Sequence, residues 1–198
     1  MKKLKLVTLS AFLLIGLGAM TACGNDSTAP TTDETSEEVT TGATQVTAES
    51  ADDIVHGLSA QGAWIVNGSR DIDASGKDIY VDGVFLHRGE EARKLALYTQ
   101  TREEVDGETK VTINSSYTLT VGRLFVNSPN FDISNMTVEG DVYVDAPGFH
   151  FSQAEGTDYP ATINGNLVFQ TQELYDAFHA QDKTAQGTVT GTISVISE

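Results

Sequence analysis

One pattern constrains this chain more than any other. MTVEGDVYV at 136–144, ATINGNLVF at 161–169 and GTVTGTISV at 187–195 share the outline Thr-(Val/Ile)-x-Gly-x-(aliphatic)-x-(Val/Phe). Positions 138, 140, 142 and 144 read Val, Gly, Val, Val; positions 163, 165, 167 and 169 read Ile, Gly, Leu, Phe; positions 189, 191, 193 and 195 read Val, Gly, Ile, Val. The residues between them are mostly polar. A period of two with one apolar face is a half-buried strand, and here it recurs in one phase. The glycine falls on the apolar face each time. That placement predicts a bend in the strand, or a second backbone too close to admit a side chain.

The motif glycines Gly140, Gly165 and Gly191 lie 25 and 26 residues apart. Two dozen residues are enough for one turn of a parallel β-helix, in which equivalent strands of successive turns pair in parallel and like stacks on like. The expected fold is therefore all-β, a right-handed parallel β-helix (solenoid) from about 50 to 198. Looser echoes at Gly62, Lys77 and Gly122, and LALYTQT at 95–101 beside LVFQTQE at 167–173, are too closely or unevenly spaced to phase. They read as different faces of the same turns. A β-sandwich is the alternative, since short alternating strands also describe it, but it has no need of equally spaced, same-phase glycines.

Three segments depart from the repeat. Ser50-Ala51-Asp52-Asp53 offers a helix N-cap and an acidic first turn, so 50–58 is expected to be a short helix. Asp106-Gly107, within 102–117, predicts a hairpin or protruding loop. Residues 172–180, capped by Thr171, predict a small helical insertion with Leu174 and Phe178 on one side. Segment 90–98 is helical by composition, but its echo of 167–173 favours strand.

The first residues address the chain rather than fold it. Lys2, Lys3 and Lys5 precede a mostly apolar run from Leu6 to Ala19, followed by Met20-Thr21-Ala22-Cys23. That is a secretory signal, residues 1–22, too short for a stable membrane span. The segment resembles bacterial lipoprotein signal peptides, whose lipobox ends in a cysteine that becomes the diacylglycerol-modified first residue of the mature protein. The resemblance makes Cys23, the sole cysteine, the lipidation site, with Met20 standing where the family usually has Leu. It implies a location on the extracytoplasmic face of the cell membrane, anchored through lipid. Residues 24–49 are rich in Thr and Ser, with five acidic residues and no basic one over Gly24–Ala48; they are expected to form a disordered tether.

Removal of the signal leaves nine basic against 28 acidic residues, a net charge of −19. Such a surface excludes nucleic acid as a partner. The stretches RKLALY, SYTLTVGRLFVNSPNFDISNMTVEGDVYVDAPGF and TINGNLVF resemble uncharacterised surface lipoproteins of Gram-positive bacteria. That resemblance implies export and a β-rich repeat, and no activity.

Chemistry-bearing residues are sparse. Alternation puts Asp141, Tyr143 and Asp145 outward on one face, a set able to bind a sugar ring or a cation. As an enzyme, a polysaccharide lyase or glycoside hydrolase would use Asp141 and Asp145 as its carboxylates and Arg123, one turn earlier, as its cation. Asp132 and Glu139 lie nearby. His56, His87, His150 and His179 have no ligand spacing, so no metal is expected, and no Walker A or dinucleotide-binding glycine fingerprint implies a cofactor. Tyr80, Phe85, Tyr98, Tyr117 and Tyr143 are candidates for stacking on sugars, whereas Trp64 is in phase with Val66 and reads as packing or capping. The expected function is a non-enzymatic envelope module, either structural or binding wall or host polysaccharide or protein. A carbohydrate-active enzyme is the alternative. A further one is a released signal fragment, FLLIGLGA at 12–19, acting as a peptide pheromone.

Overall fold

A computed structural model describes residues 43–196. The signal segment, Cys23, the pheromone octapeptide and the tether up to residue 42 lie outside the described residues. The chain is mostly strand. Its elements run β1 (Ala43–Thr47), α1 (Ala51–Leu58), β2 (Ala63–Gly68), β3 (Ile72–Val81), β4 (Leu86–His87), β5 (Glu90–Glu91) and β6 (Arg93–Val105). They continue with β7 (Glu108–Ser116), β8 (Thr118–Val126), β9 (Phe131–Ser134), β10 (Thr137–Val144), β11 (His150–Ser152), β12 (Thr162–Asn164) and β13 (Leu167–Phe169). Last come α2 (Gln172–His179), a 3-10 turn (Lys183–Gln186), β14 (Thr188–Val189) and β15 (Ile193–Val195).

The chain moves back and forth between two parallel sheets from β2 to β12 and then stays in the second. Sheet I is ordered β1-β2-β6-β9-β11. Sheet II pairs β3 with β8, β8 with β10, β10 with β12 and β13, and these with β14 and β15. Among the described residues, antiparallel pairing occurs only in the β4–β5 and β6–β7 hairpins. The parallel order within both sheets is not that of a sandwich built from hairpins.

The repeated motifs lie side by side in register. Leu124, Val142, Leu167 and Ile193 form one column, and Val126, Val144, Phe169 and Val195 another. Leu119, Val138, Ile163 and Val189 form a third. Sheet I supplies Val66, Leu95, Ile133 and Phe151 in the same manner. All of these except Val189, Ile193 and Val195 are buried. The glycines mark the bend between the halves of each sheet II strand, where the β8–β10 register shifts between Glu139 and Asp141. A Cβ on Gly165 would stand 2.2 Å from the Gly140 carbonyl oxygen, and one on Gly191 2.4 Å from that of Gly165. Close backbone approach is therefore why glycine recurs there.

The helices close the ends of this core. Ser50 accepts from the Asp53 amide and starts α1, which buries Ile54 and Leu58. Thr171 caps α2 through the Leu174 amide; Phe178 then enters a cluster with Phe149, Phe151 and Phe169. Asp106 and Gly107, both at positive φ, form the turn of the β6–β7 hairpin. Residues 93–98 are strand. The upstream echoes do belong to different faces: Gly62 precedes β2 of sheet I, while Lys77 and Gly122 lie in sheet II. Leu95 and Leu167 belong to different sheets, so the LALYTQT echo is not a structural equivalence.

One feature differs from expectation. Structure begins before Ser50, because β1 pairs with β2 over Ala43–Thr47 inside the segment expected to be tether. Its backbone bonds to sheet I, and Val46 packs on the core, so a polar sequence is held by a neighbouring edge. Arg93 is 1% exposed. Its guanidinium donates to the carbonyls of Ala63, Gly57 and Ser59, the latter two at the end of α1, and lies 3.9 Å from the Phe85 ring centre. Burial pulls its pKa down to about 10, which leaves it charged at neutral pH.

Candidate functional site

On the outer face of sheet II three rows of side chains cross the strands. The pairing that aligns the core also aligns them, since alternate residues point the opposite way. The first row is Asp78, Arg123 and Asp141, on adjacent strands in register. The second is Tyr80, Phe125, Tyr143 and Val168. The third follows the strand ends: Asp82, Asn127, Asp145 and Gln170, each of the last three donating its amide to the strand before, at Val81, Val126 and Val144.

The rows differ in what they leave free. Arg123 Nε donates to Asp78 at 2.9 Å, and its Nη2 also meets that carboxylate. The pair holds Asp78 below the usual carboxylate range and raises Arg123. Asp141 Oδ1 accepts from the backbone and side-chain nitrogens of Asn166 at 2.8 and 2.9 Å, so it ties one strand to the next. Asp141 and Arg123 are therefore neighbours, but their hydrogen bonds run to Asn166 and Asp78 rather than to each other. Tyr143 stacks on Phe125 at 5.2 Å, and Phe125 on Tyr80 at 4.9 Å. Their faces cover one another and their edges point outward; Tyr80, 49% exposed, ends the stack.

Asp145 is exposed and lines a cleft of about 550 Å³ at the corner where sheet II hands the chain to sheet I. Gly83, Val84, Glu91, Asn127, Pro129, Asp145, Ala146 and Pro147 form its walls. All but Glu91 come from three stacked turns of related sequence, Val81-Asp82-Gly83-Val84-Phe85, Val126-Asn127-Ser128-Pro129-Asn130-Phe131 and Val144-Asp145-Ala146-Pro147-Gly148-Phe149. Asn130 and Gly148 both take positive φ, and the Asn130 amide donates to the Pro147 carbonyl at 2.9 Å. A Cβ on Gly148 would strike Asn130 Oδ1 at 2.0 Å. The second and third turns are thus matched.

The remaining candidates fall elsewhere. Phe85 is buried against Arg93, and Tyr98 and Tyr117 are half-buried near the hairpin. Trp64 is half-buried and stacks on His87 at 3.9 Å, outside the core. Asp132 is 7% exposed and bonds to Lys94 (2.9 Å) and Ser152 (2.7 Å) on sheet I. Glu139 stands by Thr120. His56 and His179 lie on α1 and α2, and His150 bonds to the Gly148 carbonyl. Among the described residues, no group of three His, Cys, Asp or Glu stands close enough to hold a metal. Phe125, Asn127 and Glu91 were not singled out from the sequence. The first two sit two and four positions from Arg123, on the alternation that selected Tyr143 and Asp145, so that signal was present; Glu91 joins only through the β4–β5 hairpin.

No protein-family model matches the sequence, and no curated protein or solved structure matches the chain.

Proposed function

We propose that this protein is a lipid-anchored component of the extracytoplasmic cell envelope that binds polysaccharide without turning it over. On this reading its alternating passes are the coils of a right-handed parallel β-helix, held to the membrane through Cys23. The in-register parallel columns support the coil reading, and the strong right-handed preference of parallel crossovers supports the hand. The observation that carries the binding reading is the outer face of sheet II. Rows of aromatic and polar side chains repeat at the strand spacing, about 4.8 Å, and lead into the corner cleft. A surface that repeats along one axis suits a ligand that repeats too. The cleft's apolar walls can pack on the C–H faces of a sugar, while Glu91, Asp145 and Asn127 accept from its hydroxyls. Absence of turnover is supported by the engagement of Arg123 with Asp78 and of Asp141 with Asn166.

Affinity electrophoresis of the detergent-solubilised chain through gels cast with wall polysaccharides tests this. Retardation that D145A weakens supports the reading, and unretarded migration through every polymer removes it. Release of reducing ends or unsaturated uronate product, abolished by Asp141→Asn, would make the protein an enzyme instead. Incorporation of radiolabelled palmitate, lost in C23A, tests the anchor.

A further inference from the structure

The hydrogen-bonding polarity of the corner cleft points to a ligand class, an inference that rests on the polysaccharide reading above. No Lys, Arg or His lines the cleft. Its polar side chains are the carboxylates of Glu91 and Asp145 and the amide of Asn127, whose Nδ2 already donates to Asp82 at 2.8 Å. Pro129 and Pro147 have no N–H, and the amides of Asn127 and Asp145 donate to Val81 and Val126. Its side chains offer mainly acceptors, with an apolar lining from Val84, Pro129, Ala146 and Pro147.

An acceptor-rich hollow in a chain of net charge −16 disfavours uronates, phosphates and sulfates, which would bring more acceptors and more negative charge. Among the described residues no group of three His, Cys, Asp or Glu stands close enough to hold a metal, and the carboxylates of Glu91 and Asp145 suit a cation that donates hydrogen bonds. A protonated primary amine supplies three donors and a positive charge. We propose that the cleft selects an amine-bearing sugar unit, a 2-amino-2-deoxy residue of a polysaccharide, its ring on the Val84–Pro129–Pro147 surface and its ammonium toward Asp145 and Glu91. The cleft volume lies within the range of small-ligand sites.

Calorimetry on the full chain in detergent, with glucosamine hexamer, its fully N-acetylated counterpart and oligogalacturonate as probes, tests the assignment. At low ionic strength the free-amine hexamer is expected to bind about tenfold more tightly than the acetylated one, with the gap closing toward 1 M salt, where the screening length is about 3 Å. Oligogalacturonate is expected not to bind. E91Q/D145N, nearly isosteric and checked for folding by circular dichroism, is expected to erase the preference and keep residual binding. Equal affinity for both hexamers overturns the amine assignment and leaves the polysaccharide reading standing. A preference that survives in E91Q/D145N overturns the placement of the site. Tighter binding of oligogalacturonate overturns the polarity argument, and failure of all three probes overturns it together with the polysaccharide reading as applied to these polymers.

Discussion

Replacing Gly165 with alanine adds one methyl group, and the stacking of strands decides what that methyl costs. The new Cβ would sit 2.2 Å from the Gly140 carbonyl oxygen and 2.6 Å from its carbon, both backbone atoms of the adjoining strand. A relaxed C···O contact is about 3.3 Å, so the strands must part by about 1 Å. The bonds across that seam are the Val142 amide to the Asn166 carbonyl and the Asn166 amide to Asp141 Oδ1, both at 2.8 Å. An added ångström takes them outside hydrogen-bond range. Overpacking costs about 1–3 kcal/mol and each weakened bond about 1 kcal/mol, while the stiffer unfolded chain returns about 0.5–1 kcal/mol. Gly165 does not occupy the left-handed region, so backbone strain adds nothing. The net is a loss of about 3 kcal/mol, or about 6–12 °C in Tm for a domain this size. Urea unfolding of G165A beside N164A, an exposed neighbour expected to change by less than about 0.5 kcal/mol, makes the measurement. A G165A protein within about 1 kcal/mol of the parent would refute the close-approach argument.

Other substitutions probe other joints. R93M should lose about 3–5 kcal/mol in urea unfolding, because it strips the carbonyls of Gly57, Ser59 and Ala63 of their donor; R93K, which lacks the planar fork, should recover only part of it. D132A should cost about 2–3 kcal/mol by stranding Lys94, and K94M/D132L should regain most of that because no charge is left unpaired. In acid, Asp53, Asp73 and Asp78, all held below their ordinary values by hydrogen bonds, contribute stability that is present above about pH 4 and is lost as pH falls through their lowered values. An NMR titration of R123Q should show the Asp78 carboxyl moving up toward an unpaired aspartate; an unmoved midpoint would mean that Arg123 is not its partner.

The sheet II columns were legible because each motif carries its own phase marker. Three alternating apolar residues set the inward face and the glycine sets the bend, and no tertiary information is needed to align Val142, Leu167 and Ile193. Ser50, Thr171 and Asp106-Gly107 were legible for a related reason, since caps and tight turns are decided by local hydrogen bonding and φ. What stayed hidden depends on contacts distant in sequence. The β6–β7 hairpin lengthens one pass, so Lys77 and Gly122 are 45 residues apart while Gly122 and Gly140 are 18 apart, and the spacing conceals that all three share a sheet. The corner-turn repeat was obscured because Val84 stands where the later turns carry proline. Arg93, in the charged run Glu90-Glu91-Ala92-Arg93-Lys94, looks solvated until α1 is folded over it. Asp141 and Arg123 looked free because the sequence does not reveal Asn166 and Asp78 as their partners.

In-register parallel stacking aligns every core column, and hydrogen-bond scalar couplings read it most directly. In a long-range HNCO spectrum of the labelled protein, the amides of Asp145, Gln170 and Ile196 are predicted to couple to the carbonyls of Val126, Val144 and Phe169, and the Gly191 amide to the Gly165 carbonyl. Couplings that link these strands in antiparallel pairs, or with the register displaced by one residue or more, would contradict it.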